Sequence, residues 1–249
     1  MVGFELTKTQ QLCKELFHNF AENEIRPIAR DMDEKEEYPR ELLDKLQKAH
    51  MFGIPYPQEL GGAGADVLTY TLAMEELSKV DASTGITLSV HTSLCCPCIY
   101  ENGTDEQKER FLRPLISGEK IGAFSLTEPN AGTDASGVQT TADKDGDYYV
   151  LNGSKMFTTN AGIADTFVVF ALTDKSKGPK GMSAFIVDRT MEGITVGTNI
   201  PRMGIRAASN CELAFENVIV PAENLMGREG EGFKIAMQTL DGGRIGIAS

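Results

Sequence analysis

Tryptophan is absent from the 249 residues, and aromatic residues of every kind make up only 7%. Basic residues are few: 24 Lys and Arg stand against 36 Asp and Glu, a formal net charge of −12. Nucleic acid and anionic membrane surfaces require a basic face, so neither is expected as a partner. No apolar run approaches the ~18 residues of a membrane span, and the opening MVGFELTKTQ lacks a signal-peptide core. The expectation is a cytoplasmic protein. Histidine is limited to His18, His50 and His91, too scattered for a hydrolase triad, and no G-x-S-x-G elbow accompanies them. A Walker lysine motif is missing, and GGAGAD (61–66) fails the spacing of a dinucleotide-binding glycine motif.

Cysteine is present but sparse. Cys13, Cys95, Cys96, Cys98 and Cys211 are odd in number, and three of them crowd into LCCPC, which argues against a disulfide framework. Cys95 and Cys98 form a C-x-x-C pair with His91 four residues earlier, but no second pair completes four metal ligands. Two readings follow, a metal site and apolar helix packing by small thiols, and no metal is expected. An apolar fraction of 41% with 24% charge is that of a globular chain, long enough for one large domain or two modest ones.

The first ~118 residues carry helical spacing. Thr7 with Gln10 makes a capping box. Leu12, Leu16 and Phe20, with Cys13 and Phe17 beside them, extend a stripe toward Ile25. Segment 41–53 is amphipathic and closed by Gly53, and 54–66 is a Pro- and Gly-rich loop. Helices are expected over 66–80 and 82–100. The latter has almost no charge, so it should be buried on most sides. Thr104 and Gln107 repeat the capping box and open a helix ending near Gly118. Beyond it the period changes. IGAFSLT, GVQTTAD, YYVLNGSKMFTT, TFVVFALT, GMSAFIVD, GITVGTNI and CELAFENVIV are β-rich runs separated by turns, which predicts a sandwich or small barrel. Segment 229–249 returns to helical spacing and stops uncapped at Ser249. The fold class is therefore α+β and multidomain: a helical domain over 1–119, a β-domain over 120–227, and the start of a C-terminal helical bundle over 228–249, its remainder expected beyond Ser249.

Two turns concentrate the chemistry. FSLTEPNAGTD (124–134) ends a strand in hydroxyls, a proline and a glycine, and KMFTTNAG (155–162) sets threonines beside Phe157. Such turns are either plain corners of a β-domain or a site for a planar aromatic ligand with a phosphate tail, in which Phe packs on the rings while Thr and backbone N–H groups meet the polar edge. DKSKGPKG (174–181) is the one basic cluster, read first as an exposed turn.

FSLTEPNAGTDASG and KMFTTNAG resemble the flavin-contacting segments of the acyl-CoA dehydrogenase family. NIPRMGIRAASNCELAFENVIVPAENLMG and GEGFKIAMQTLDGGRIGIAS are similar to its later segments, closest to short-chain (butyryl-CoA) members, and the likeness runs through essentially the whole chain in order. It implies FAD held between the β-domain and the helical domains. Phe124 and Leu126 would border the flavin, Thr127 would meet its polar edge, and Gly132 and Thr133 its pyrophosphate. Phe157, Thr158 and Thr159 would line the other side, Phe157 standing where many members carry Trp. Thr133 and the D-x-x-R segment Asp241, Gly242, Gly243 and Arg244 would contact acyl-CoA, and Lys175, Lys177 or Lys180 would be the lysines to approach its phosphates. The implied reaction is α,β-dehydrogenation of a short acyl-CoA, with an electron-transferring flavoprotein as electron acceptor and a homotetramer as the complete assembly. No catalytic residue is assigned: the family's glutamate lies on the C-terminal domain, or on the helix after the β-domain where this chain has Gly243. These residues alone are thus expected to bind flavin poorly and to turn over nothing. Alternatives are a non-catalytic flavin- or CoA-binding protein ending at Ser249, and an acyl-CoA oxidase.

Overall fold

The computed structural model describes residues 5–249. Helix α1 (Lys8–Phe20), a wider π turn (Ala21–Ile25) and α2 (Arg26–Lys35) form one rod, opened by the Thr7–Gln10 capping box. Its buried face is not the expected leucine stripe. Phe17, Ala21, Ile25 and Met32 are buried, while Leu12 and Leu16 are 58% and 54% exposed. Packing against α4 (Val67–Ser78) decides the face. Gln10 Nε2 donates to Asp66 Oδ2 at 2.8 Å, and Asp66 itself caps α4 by accepting from Thr69 N. This rotates Cys13, Phe17 and Phe20 inward and leaves Leu12 and Leu16 out.

Helix α3 (Arg40–Lys48) leads into the 54–66 loop, and α5 (Ala82–Val90) continues through a π turn (His91–Cys95) into α6 (Cys96–Asn102). Over 82–100 that rod carries no Asp, Glu, Lys or Arg and is buried on most sides, as its composition predicts, while Tyr100 and Glu101 at its end are exposed. Short helices α7 (Asp105–Gln107) and α8 (Arg113–Ile116), joined by a third π turn, complete the helical part. Cys95, Cys96 and Cys98 all sit in an apolar cluster, and burial pushes the Cys98 thiol up to about 12. Among the described residues no group of three or more His, Cys, Asp or Glu is placed to hold a metal ion. Four thiols are buried and Cys13 is partly exposed, so a thiol reagent is expected to modify one cysteine per native chain and all five after denaturation. Native-state modification at Cys95, Cys96 or Cys98 would contradict this packing.

The β segment is a mixed sheet of eight strands: β1 (Gly122–Ser125), β2 (Thr141–Asp145), β3 (Tyr148–Thr159), β4 (Thr166–Leu172), β5 (Met182–Asp188), β6 (Ile194–Asn199), β7 (Asn210–Pro221) and β8 (Leu225–Met226). The order is β6-β7-β3-β2-β4-β5-β8, with β1 parallel to β4. The β2–β4 junction is a single residue pair, Thr141 with Leu172. About that junction the halves close on each other. Leu151, Leu213 and Phe215 from one half share a core with Phe167, Val169 and Phe185 from the other, the two-layered β core the alternation predicts. The opposite face of β4 and β5, including Val168, Phe170 and Ile186, packs on the helices with Ile99 and Leu112. β8 has two residues, too few to show any period.

Helix α9 (Gly232–Ala248) crosses back over β5 and against α5 and the π turn after it, burying Ile235 and Ala236. Among the described residues no helix is long and apolar enough to cross a membrane.

Candidate functional site

A cleft of about 410 Å³ opens where the end of β1, the following turn, the end of β3, the π turn after α5, and α9 meet. The chain reaches this geometry by local steps. After β1, Glu128 and Ala131 exchange backbone hydrogen bonds at 3.1 Å, so Pro129 and Asn130 form the tip of a tight turn. The next residues, Gly132 and Thr133, line the cleft, and at Gly132 an added Cβ would meet nothing within 4 Å. That space leaves the backbone open to a ligand. Asp134 accepts from Ser136 Oγ and from Ser136 N at 3.0 Å, and these bonds hold its carboxyl below the usual range.

The second wall is a bulge. The β3–β7 register skips between Lys155 and Thr158, and Met156 N instead donates across to Thr127 O at 2.7 Å. Phe157, at φ 55, takes the left-handed conformation that a bulky side chain rarely adopts, and it stands 56% exposed in the cleft. An aromatic ring held outward by a strained backbone is a feature that a mere corner does not require.

Behind both walls lies an ion pair. Lys155 is completely buried, and its Nζ donates to Glu128 Oε1 at 2.7 Å and to Leu126 O at 3.2 Å. Glu128 also accepts from Gln139 N at 2.6 Å and from Thr140 N at 3.1 Å. Burial pushes the Lys155 ammonium down to about 8, against the pull of Glu128. For Glu128, burial raises the carboxyl, but the ammonium and the hydrogen bonds outweigh it and the group stays below its ordinary value. Both are therefore charged at neutral pH.

The structure brings together most of the residues singled out from the sequence. Phe124, Leu126, Thr127, Gly132, Thr133, Phe157, Thr159 and Arg244 all line the cleft. Thr158 does not: its side chain turns inward and pairs with Ser125 Oγ at 2.8 Å. Within the D-x-x-R segment only Arg244 faces the cleft. Asp241 is exposed on α9, and Gly242 borders a separate groove beside Tyr70 and Thr239. Gly243 is buried, with its missing Cβ position 2.4 Å from Leu94 Cδ2. Lys175, Lys177 and Lys180 are outside the lining. Lys177 is held by Asp174 at 2.8 Å, and their turn packs beside Ala135–Gly137 at the rim. Met156, Ser136, Phe233, Met237 and Leu240 also face the cleft and were not anticipated. The α9 residues among them, at i, i+4 and i+7 from Phe233, carry a helical period that could have identified the wall.

The comparisons agree with this geometry. Models of the acyl-CoA dehydrogenase N-terminal domain and middle domain match residues 7–119 and 123–218. A short-chain specific acyl-CoA dehydrogenase of Clostridium acetobutylicum is 56% identical over 248 residues, covering 100% of this chain and 65% of that protein. The structure of butyryl-CoA dehydrogenase from Megasphaera elsdenii superposes with a TM-score of 0.96 at 52% identity, covering 99% of this chain and 66% of that one. A chain in the structure of the electron transferring flavoprotein of Acidaminococcus fermentans, concerned with flavin-based electron bifurcation, gives 0.97 at 54% identity, with coverage of 99% and 65%. The chain thus spans about two thirds of the length of these relatives, or slightly less. Two domain models in the family's order and near-complete superposition on its solved structures show that the chain belongs to the acyl-CoA dehydrogenase family.

Proposed function

We propose that this chain is the larger part of an FAD-dependent enzyme catalysing α,β-dehydrogenation of short-chain acyl-CoA thioesters, butyryl-CoA to crotonyl-CoA or the reverse. The observation that carries the reading is Phe157, held outward on its left-handed bulge and facing a hydroxyl-and-glycine turn across the cleft. A flavin needs a flat apolar contact, donors at its polar edge, and unobstructed backbone at its pyrophosphate. The cleft supplies all three in Phe157, in Thr127 and Thr159, and in the open space at Gly132 beside Thr133. When bound, the flavin supplies the acceptor for the hydrogen that leaves the β-carbon as hydride.

The chain's own residues would hold and shape. Phe124 and Leu126 border the ring system, and Gly132 and Thr133 meet the phosphates. Thr158 contributes through the bulge it anchors. Thr133 and Arg244, on opposite walls, are assigned to the acyl-CoA, with Asp241, Gly242 and Gly243 setting the course of α9 there. Leu94 lines the cleft, which supports a short acyl chain. Among the described residues no glutamate lines the cleft, and Gly243 lies against Leu94 with no room for a side chain. The proton-abstracting glutamate is therefore assigned to the third of the relatives' length that this chain does not match. The same reading takes 1–119, 120–227 and 228–249 as the structural units, with an electron-transferring flavoprotein as acceptor, a homotetrameric whole protein and a cytoplasmic location.

Anaerobic addition of butyryl-CoA to the protein purified from its natural source should bleach the visible absorption of the oxidised flavin. If the enzyme runs in the reverse sense, crotonyl-CoA should reoxidise reduced flavin. No response to either ester sinks the proposal. Phe157→Gly separates site from scaffold. Glycine relieves the left-handed strain and adds backbone entropy, two effects of about 1 kcal/mol that oppose each other. Thermal stability of the flavin-free protein should therefore stay nearly unchanged while the flavin dissociation constant rises at least about tenfold, the loss of one aromatic contact.

A further inference from the structure

The Lys155–Glu128 pair has no direct contact with the cleft, yet its bonds reach both walls. The turn segment leaves the sheet at Glu128 and returns at Gln139 and Thr140, and the Glu128 carboxylate accepts hydrogen bonds from both returning amides. Between those ends lie Gly132, Thr133, Asp134, Ala135 and Ser136, all facing the cleft. The carboxylate is thus the clasp that closes the first wall on itself. Lys155 immediately precedes Met156 and Phe157, the bulge of the second wall, and its ammonium reaches back to Leu126 O as well as to the clasp.

We infer that Lys155 and Glu128 are positioning residues that set the separation of the two cleft walls for ligand binding. Stability alone does not account for them. Well-packed apolar residues in place of a buried ion pair are often neutral or stabilising, whereas directional bonds from a charged group fix geometry. Here every bond of the pair ends on backbone of a wall or on the other partner. Burial drives the ammonium down to about 8, while the ammonium and the two backbone amides hold the carboxyl below its ordinary value, so both groups are charged at neutral pH. The ligand's identity as a flavin rests on the reading above; the coupling of the walls does not.

Two variants test the inference. Lys155→Met removes the ammonium at similar length. Combining it with Glu128→Gln replaces both charges, keeps an amide oxygen for the clasp, and leaves no unpaired buried charge should the single variant fail to fold. Amide hydrogen exchange is expected to accelerate at least about tenfold at Gln139, Thr140 and Met156 relative to the rest of the sheet, with flavin release faster by a similar factor. Uniform acceleration across the sheet would mean a merely structural pair and overturn the inference. A double variant with wild-type flavin release would overturn it too. If the wild-type protein takes up no flavin, the flavin reading fails, and the exchange pattern alone decides whether the pair couples the walls.

Discussion

Gly232→Ala is expected to lower the melting temperature by roughly 2–12 °C and to weaken the cleft, although it adds a single methyl group. Gly232 is the first residue of α9, where the helix crosses β5. A Cβ there would lie 2.5 Å from the Ser183 carbonyl carbon, 2.7 Å from its Cα and 2.8 Å from its nitrogen. All three atoms are backbone, so no side chain can rotate away. Either α9 lifts or β5 bends, at a cost of about 1–3 kcal/mol for overpacking of this kind. Lifting α9 also withdraws Phe233, Met237, Leu240 and Arg244 from the cleft. Gly242→Ala on the same helix is the control. An added Cβ there meets nothing within 4 Å, and alanine in a helix interior should stabilise by about 0.5–1 kcal/mol. Calorimetry on both variants checks the pair of signs. Equal effects would mean that the α9–β5 contact does not govern the helix.

Acidification supplies the second large effect. His91 is fully buried between α8 and β1, with both ring nitrogens engaged. Nε2 lies 3.0 Å from Leu115 O, and Nδ1 accepts from Gly122 N at 3.0 Å. A carbonyl can only accept and an amide N–H can only donate, so the ring is neutral with its proton on Nε2. Burial, opposed by the bond to Leu115, pushes its pKa from 6.5 down to about 4. The unfolded chain therefore takes up a proton on His91 at a pH where the native chain does not. Stability is full above 6.5 and is lost as pH falls from there through about 4. Between pH 7 and pH 5 the loss from this one group should be about 2 kcal/mol. Glu76 and Glu128, both held below their ordinary values, also lose stability on acidification, but only as pH falls below the ordinary carboxylate range. The windows are therefore separable. His91→Gln should be less stable than wild type at pH 7 and should show a flatter pH dependence down to pH 5, measured by urea denaturation. An unchanged slope would contradict the assignment.

What could be read in the sequence was local or periodic. The capping boxes at Thr7 and Thr104 depend on residues three positions apart, and both form as expected. The switch from helical to alternating spacing after Gly118 sets the order of the helical and β parts, and the segment over 82–100, with almost no charge, is buried on most sides as its composition demands. What escaped depends on partners distant in sequence or on backbone strain. The rotation of α1 is set by Gln10 meeting Asp66, 56 positions away, so an isolated helical stripe misassigned Leu12 and Leu16. Alternation puts Lys155 on the inward face of β3 with Tyr149 and Leu151, but nothing local names its partner Glu128, 27 positions earlier. Nothing in KMFTTNAG announces a left-handed Phe157, since neither glycine nor asparagine occupies that position. The cleft-lining residues Thr127, Gly132, Thr133 and Thr159 were legible through family resemblance, which captured a three-dimensional cluster that spacing alone presents as two unrelated turns. Thr158 shows the limit of that transfer, because alternation about the bulge points its hydroxyl into the domain.

FAD is the proposed occupant of the cleft between the Thr127–Ser136 turn, the Phe157 bulge and α9. The most direct measurement is acid release of flavin from the protein purified from its natural source, with identification and stoichiometry of what comes off. The expected result is FAD, close to one per chain, and a flavin content that falls sharply in Phe157→Gly while the fold persists. Protein that carries no flavin and takes up none on incubation with excess FAD would contradict it.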